Sequence, residues 1–291
     1  MTEDLINVLK FEPLSMEHPN AWVGHMHFAY WLVKNIKPSR IVELGTHSGN
    51  SYFSFCQSVK ENQLKTKCFA IDTWEGDEHA GSYDDSVFNK VNDHNEKHYA
   101  NFSTLVRKKF DLALSDFSDK SIDILHIDGL HTYEAVRHDY ETWLVKVADG
   151  GLILFHDIFV KDRNFGVYKL WEELLTEYPN FIFFKHSHGL GVIQVSEKIN
   201  KIEWMKQDFS NKNFFIGFFE AIGLKEIERF NLLSQIQDKD LVIQDKDQVI
   251  QDIYKALEVI YSSRSWKITQ PIRFFLKIIR KMKARITNAQ V

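Results

Sequence analysis

The sequence predicts an α/β fold built on a doubly wound, mostly parallel sheet with an antiparallel hairpin at one edge, followed by a C-terminal helical extension. Three observations carry this expectation. From about residue 38 to 195, short apolar runs alternate with helix-length amphipathic stretches, the pattern of repeated βα units. Three of those runs end in an acid, Asp72, Asp128 or Asp157, where a parallel sheet gathers ligand-binding groups. Past residue 196 the alternation stops and polar, helix-forming sequence takes over.

The chain has 291 residues, 44% of them apolar, enough for one sizeable core plus a smaller appendage. Aromatics make up 14%, with 23 Phe, a content that only burial makes worthwhile. Two cysteines, Cys56 and Cys68, offer neither a disulfide framework nor a CxxC motif, which suits a reducing, cytoplasmic setting. The first twenty residues lack a basic region followed by an apolar core, and no apolar run is long enough to span a membrane. The net charge of -4 is unevenly spread. Residues 259–291 hold eight Lys or Arg and no acid, so the remaining 28 basic residues face all 40 acidic ones, a net -12. A body that acidic is not expected to bind nucleic acid.

In order along the chain, residues 1–37 are expected to form covering helices. The main domain, 38–196, has predicted strands at 41–44, 67–71, 122–128 and 151–156, and an edge hairpin at 181–185 and 191–195 joined by HSHGL. Helices are predicted at 50–62, 99–115, 132–147 and 167–177; in the third, Val136, Tyr140 and Val147 recur at core-facing spacing. Residues 197–230 read as a helical accessory segment. Over 231–262 a seven-residue repeat, IQDKDLV-IQDKDQV-IQDIYKA, predicts a polar helix. Only adjacent Val/Ile positions (Val242 and Ile243, Val249 and Ile250) are apolar, and Lys239 and Lys246 stand where a second seam residue belongs. A self-associating coiled coil and a solvated spacer both stay open. Residues 263–291 form a basic amphipathic tail, with Ile272, Phe275, Leu276, Ile279, Met282 and Ile286 on one helical face.

The loop IVELGTHSGNS at 41–51 joins an apolar β-branched strand to a helix start and sets Glu43 two residues before Gly45. Gly45 and Gly49 permit a sharp turn and close approach to a ligand, and Ser48 or Asn50 can cap the helix. The GxxxG spacing does not match the GxGxxG dinucleotide fingerprint. It is instead similar to the first motif of class I S-adenosylmethionine-dependent methyltransferases, a family with a Rossmann-like fold. Asp72, ending the second strand 29 residues after Glu43, stands where an acid of that family accepts the cofactor ribose hydroxyls. The resemblance implies that Glu43, Gly45, Thr46, Gly49, Ser51, Asp72 and Trp74 hold S-adenosylmethionine. Taken alone, a Gly-rich turn or a strand-ending Asp is more often structural than functional, and Trp74 can stack on adenine or simply pack.

Two further strands end in ILHIDGLHTYE (124–134) and GGLILFHDI (150–158). In a doubly wound sheet, Asp128, His131, His156 and Asp157 should meet beside the cofactor. DTWEGDEHAG, HIDGLHTYEAV and FHD together resemble the methyltransferase branch containing metal-dependent sugar O-methyltransferases of macrolide and aminocoumarin pathways, whose related domains accompany bacterial glycosyltransferases. The resemblance covers about residues 38–195. It implies that Asp128 and Asp157 are metal ligands, that His131 is the catalytic base, and that the acceptor is a sugar or glycoconjugate hydroxyl. Where the antibiotic-pathway enzymes carry adjacent acids, this chain has His156-Asp157, so His156 becomes a candidate ligand and Mn²⁺ joins Mg²⁺ as a candidate ion. A hydroxyl is a weak nucleophile until its proton is taken, which suits a metal beside an imidazole. The structural alternative is that Asp128 and His131 serve the start of the next helix; His126, inside its strand, reads as core.

The polar segment 73–85 is expected to be a lid or substrate loop, with Asp77 and His79 facing the acceptor or solvent. HSHGLGV at 186–192 could bring His186 or His188 to the crevice, though a hairpin turn needs no function. The expectation is a cytoplasmic O-methyltransferase for a bacterial glycan, held at the inner face of the cell membrane or against a glycosyltransferase by its tail and self-associating through 231–262. The alternatives are a non-catalytic scaffold in glycan assembly and another metal-assisted enzyme, a hydroxylase or hydrolase.

Overall fold

The structure is a computed structural model and describes residues 2–79, 81–196, 202–206 and 208–287, with the side chains of 2–4 and 283–287 left out. Thus residues 197–201 and 207 of the accessory segment lie outside the described residues, as do the side chains of Lys283, Arg285 and Ile286. The chain divides into two compact units, Met1–Phe230 and Asn231–Val291.

The first unit is built on a seven-stranded sheet. Its strands are β1 (Arg40–Leu44), β2 (Lys67–Asp72), β5 (Ser103–Arg107), β6 (Ile122–Ile127), β7 (Val147–His156), β8 (Phe181–Phe184) and β9 (Leu190–Gln194). Their order is β5-β2-β1-β6-β7-β9-β8, and β3 (Gly76–Asp77) pairs with β4 (Gly81–Ser82) in a separate small ribbon. The strands β5, β2, β1, β6 and β7 run parallel; β9 runs antiparallel to both β7 and β8. This is the mostly parallel, Rossmann-like sheet with an antiparallel edge hairpin that the alternation predicts. The chain winds outward through β1, β2 and β5, then returns to start again at β6. The carboxyl ends of β1 and β6 therefore flank the switch point, where such sheets bind ligands.

Period-two burial gives the sheet two cores. One face holds Ile41, Ile124, Leu152 and Leu154 against α2 (Met26–Ile36), α3 (Asn50–Glu61) and the first turns of α8 (Lys212–Ser262), through Trp31, Phe55, Phe215 and Phe219. The other holds Val42, Leu44, Leu125, Ile153 and Phe155 against α6 (Tyr133–Trp143) and α7 (Val167–Glu177), through Val136, Trp143, Leu170 and Trp171. Short α1 (Thr2–Val8) packs on α2 through Leu5 and Val8.

One expectation is corrected. The periodicity predicts a helix over 99–115, whereas the helix is α4 (Asp85–His98), and residues 99–115 hold strand β5 followed by short α5 (Phe110–Ala113). Helix α4 starts at Asp84, whose carboxylate accepts the Ser86 amide, and it buries little more than Val91 and Asn95, so its apolar stripe is too thin to read. The β-branched run Ser103–Arg107 pairs with β2 alone, at the sheet edge.

In the second unit the remainder of α8 is followed by α9 (Arg264–Ile268) and α10 (Gln270–Thr287). Val242, Ile243, Val249 and Ile250 are all exposed. Among the described residues, no helix is long and apolar enough to cross a membrane.

Candidate active site

The glycine loop sits at the switch point. Gly45 adopts φ +85°, and a Cβ there would lie 2.1 Å from the Asp128 carbonyl oxygen at the end of β6. Only glycine satisfies both the left-handed backbone and that approach. Gly49, at φ +86°, is the N-cap of α3 and has no side chain with which to cap it. The sequence suggests Ser48 or Asn50 for that task. Asn50 instead donates to the Glu17 and Pro19 carbonyls and accepts the Glu17 amide, tying the N-terminal segment beside the loop. Among the described residues, no side chain caps the positive end of α3.

Asp72 organises the loop from the end of β2. Its Oδ2 accepts the amides of Thr46 and His47, both at 2.9 Å, and its Oδ1 accepts the Trp74 amide at 2.8 Å. A carboxylate offers about four lone-pair sites, so roughly one remains for a ligand hydroxyl. Trp74 is fully buried, donates its indole N–H to the His47 carbonyl at 2.9 Å and packs against Phe88. It underpins the loop. Thr46 and Ser51 are also buried.

Glu43 lies wholly inside the fold. Trp22 donates its indole N–H to His126 Nε2, so the proton of neutral His126 sits on Nδ1, which donates to Glu43 Oε2 at 2.8 Å. His126 is a core residue, as its position in the strand suggests. Among the described residues, Glu43 Oε1 and Thr46 Oγ1 are buried without a hydrogen-bond partner. An acceptor and a hydroxyl orphaned on either side of a glycine loop suit a ligand that brings both donors and acceptors.

Four side chains expected to converge do so. His131 Nε2 lies 2.9 Å from Asp157 Oδ2 and 3.5 Å from Asp128 Oδ1. His156 Nδ1 lies 3.2 Å from Asp157 Oδ2 and 3.4 Å from Asp128 Oδ1, while its Nε2 donates to the Ser187 carbonyl at 3.0 Å. That last bond leaves the Nδ1 of neutral His156 with its lone pair turned to the carboxylates, the orientation a metal-ligating imidazole needs. Asp128, His131 and Asp157 have ligand atoms close enough together to share one ion. The two carboxylates with one histidine nitrogen, that of His131 or of His156, make a mixed oxygen and nitrogen donor set that fits a divalent cation.

The electrostatics follow from this crowding. Burial alone would lower His131, but its hydrogen bonds and charge interactions with Asp128 and Asp157 outweigh it and raise the imidazole to about 9. His156 is likewise raised well above its ordinary value, its burial overridden by Asp157 and Asp128. Asp128 and Asp157 are held well below the usual carboxylate range: burial pushes both up, and the neighbouring histidines more than reverse it.

Sequence reasoning left several neighbours unassigned. His188, on the β8–β9 turn, donates to Asp157 Oδ1 at 2.9 Å, so that turn also supports the site. Ser187 lends its carbonyl to both His156 and His25. Phe165 stacks on His131 with ring centres 4.5 Å apart, and His79, from the 73–85 segment, stacks on the same phenyl ring. Asp77 accepts the His79 amide. His186 bonds the Gly24 carbonyl instead. The histidines of HSHGLGV and His79 are visible in the sequence; nothing local marks Trp22, His25 or Phe165 as neighbours of the site.

Residues 42–158 match a family model described as a methyltransferase domain. The uncharacterized protein y4gI of Sinorhizobium fredii is 41% identical over 223 residues, covering 75% of this chain and 24% of that protein. The chain therefore spans about a quarter of that relative's length. Among solved structures, the SAH-bound methyltransferase PaMTH1 of Podospora anserina aligns at 14% identity with a TM-score of 0.47, covering 67% of this chain and 87% of that one. The O-methyltransferase TomG of Streptomyces achromogenes, in complex with SAM, aligns at 13% identity with a TM-score of 0.45, covering 67% and 90%. Over residues 42–158 the chain thus matches a methyltransferase domain, and the sheet that carries the match is Rossmann-like.

Proposed function

We propose that the first unit binds S-adenosylmethionine on the 45–51 loop and methylates an oxygen of a sugar or glycoconjugate, with His131 as base and a divalent cation, Mg²⁺ or Mn²⁺, on Asp128, Asp157 and His156. The observation that carries this is the meeting of two half-sites at one switch point: Gly45 packs on the Asp128 carbonyl, so the loop and the acid–histidine cluster are neighbours. Glu43, Thr46, Gly49, Ser51 and Asp72 form the cofactor half, underpinned by Trp74. The match to a methyltransferase domain supports transfer chemistry; the sugar acceptor rests on the resemblance of DTWEGDEHAG, HIDGLHTYEAV and FHD alone.

S-adenosylmethionine supplies an electrophilic methyl group on a cationic sulfur, and a divalent ion makes a bound hydroxyl easier to deprotonate. The protein's own tasks are alignment and proton transfer. His131 takes the hydroxyl proton at Nδ1, the ring nitrogen not turned to the carboxylates; the oxygen gains the methyl group as the methyl–sulfur bond breaks and S-adenosylhomocysteine leaves, and His131 returns the proton to solvent. With both carboxylates uncompensated, His131 is held protonated at neutral pH and cannot act as a base. A cation held by Asp128 and Asp157 would remove that hold and leave burial, which favours the neutral imidazole. Phe165 stacked on the ring fixes its plane and excludes water from one face.

The test is transfer of a labelled methyl group from S-adenosylmethionine to extracted bacterial glycans, with and without chelator. His131→Ala should lower the rate by roughly 10²–10⁴-fold, the usual contribution of a general base. Unchanged transfer in that variant would remove His131 from the chemistry, and unchanged transfer under chelation would remove the ion.

A further inference from the structure

We infer that α9 and α10 form a peripheral docking element for an anionic phospholipid surface. At about 100° per residue, Ile272, Phe275, Leu276, Ile279 and Met282 of α10 fall within an arc of roughly 120°. All five are between 48% and 65% exposed, so the described residues leave this apolar stripe open. Arg273, Lys277, Arg280 and Lys281 occupy a separate arc of roughly 100° beside it. At 18 residues α10 is about 27 Å long, and interrupted by charge as it is, it does not meet the requirements of a spanning helix. The geometry is that of a helix lying in the interface plane, with apolar groups downward and cations at headgroup level.

The joint before it is built to hold that orientation. Ser263 caps α9 by accepting the Trp266 amide. The Arg273 guanidinium lies 3.6 Å from the centre of the Trp266 ring and donates to the Trp266 carbonyl at 2.5 Å and to Thr269. The start of α10 is thereby locked to an indole that is itself partly exposed, and Tyr261 packs on the same ring. Trp and Tyr are the side chains favoured at a membrane interface. An open surface depression beside them brings Lys267, Arg273 and Lys277 together, cations that suit a headgroup phosphate.

Charge selects the occupant. Residues 259–291 carry eight cations and no acid, so pairing this element with a second copy would bring two strongly positive segments together, whereas an anionic bilayer offers both counter-charge and an apolar layer. This inference stands apart from the methyl-transfer reading.

The 291-residue chain should co-sediment with phosphatidylcholine vesicles containing phosphatidylglycerol at least about tenfold more than with phosphatidylcholine alone, and high salt should reduce the difference. Phe275→Glu combined with Ile279→Glu should abolish partition, and Arg280→Glu combined with Lys281→Glu should abolish the lipid preference. Unchanged circular dichroism would show that these variants fold. Failure to partition onto anionic vesicles, equal partition onto neutral ones, or partition indifferent to the Phe275 and Ile279 changes would overturn the inference. So would a concentration-dependent oligomer that the Phe275 and Ile279 variant dissolves without any vesicle binding, because the stripe would then belong to a second copy.

Discussion

Gly45 ties the two halves of the site together. Its backbone angle and its 2.1 Å clearance to the Asp128 carbonyl are separate constraints, and alanine violates both. Gly45→Ala should destabilise the fold by about 2–4 kcal/mol, since a strained φ and a backbone clash each cost on the order of 1–3 kcal/mol. A urea midpoint that does not move would show that β1 and β6 separate more easily than the structure implies. Among the acids and histidines, roles divide by neighbours. Asp157, at φ +60°, has Oδ2 turned to His131 and His156 and Oδ1 anchored by His188. His156 is fixed by the Ser187 carbonyl, whereas His131 Nδ1 has no hydrogen-bond partner among the described residues. The first arrangement suits a ligand held still, and the second a base that gains and loses a proton.

At the level of elements, legibility followed period and chemistry. Strands β1, β2, β6 and β7 were visible because each is an apolar run closed by a glycine or an acid, and the β8–β9 hairpin because HSHGLG interrupts two such runs. Strand β5 was not: Ser103–Arg107 is five residues at the sheet edge, flanked by Phe102 and Phe110, which imitate helical spacing. Helix α4 escaped notice because its exposed faces are polar and its burial is slight. The parallel-sheet rule alone placed Asp72, Asp128 and Asp157 at one edge, and so most of the candidate site was readable as spacing. Contacts made by chain distant in sequence were not. The Trp22–His126–Glu43 chain spans over a hundred residues, and Asn50 holding residues 17–19 rather than capping α3 reflects where the N-terminal segment folds.

For the whole molecule, the buried histidines set a prediction about pH. Burial first, then the charge of Arg229, depresses His27 to about 4; burial and nearby cations, including His98, depress His94 to about 4. Both are neutral in the fold and become charged on unfolding as pH falls below the ordinary 6.5. Their contribution is therefore complete above about 6.5 and lost as pH falls toward about 4. The loss should be on the order of 3 kcal/mol for His27 and less for the more accessible His94, read as a drop in urea midpoint between pH 7 and 4.5. His27→Gln should flatten that drop, and an unaltered slope would mean His27 is not buried neutral. The proposed cofactor site lies at the switch point, where the glycine loop, Asp72 and the buried Glu43 carboxylate meet. Isothermal titration of the full chain with S-adenosylmethionine tests it most directly. Saturable one-site binding at micromolar concentration, weakened at least about tenfold by Asp72→Ala through loss of three loop-ordering hydrogen bonds, is the expected result. No heat of binding at millimolar cofactor, from protein whose circular dichroism shows it folded, would contradict it.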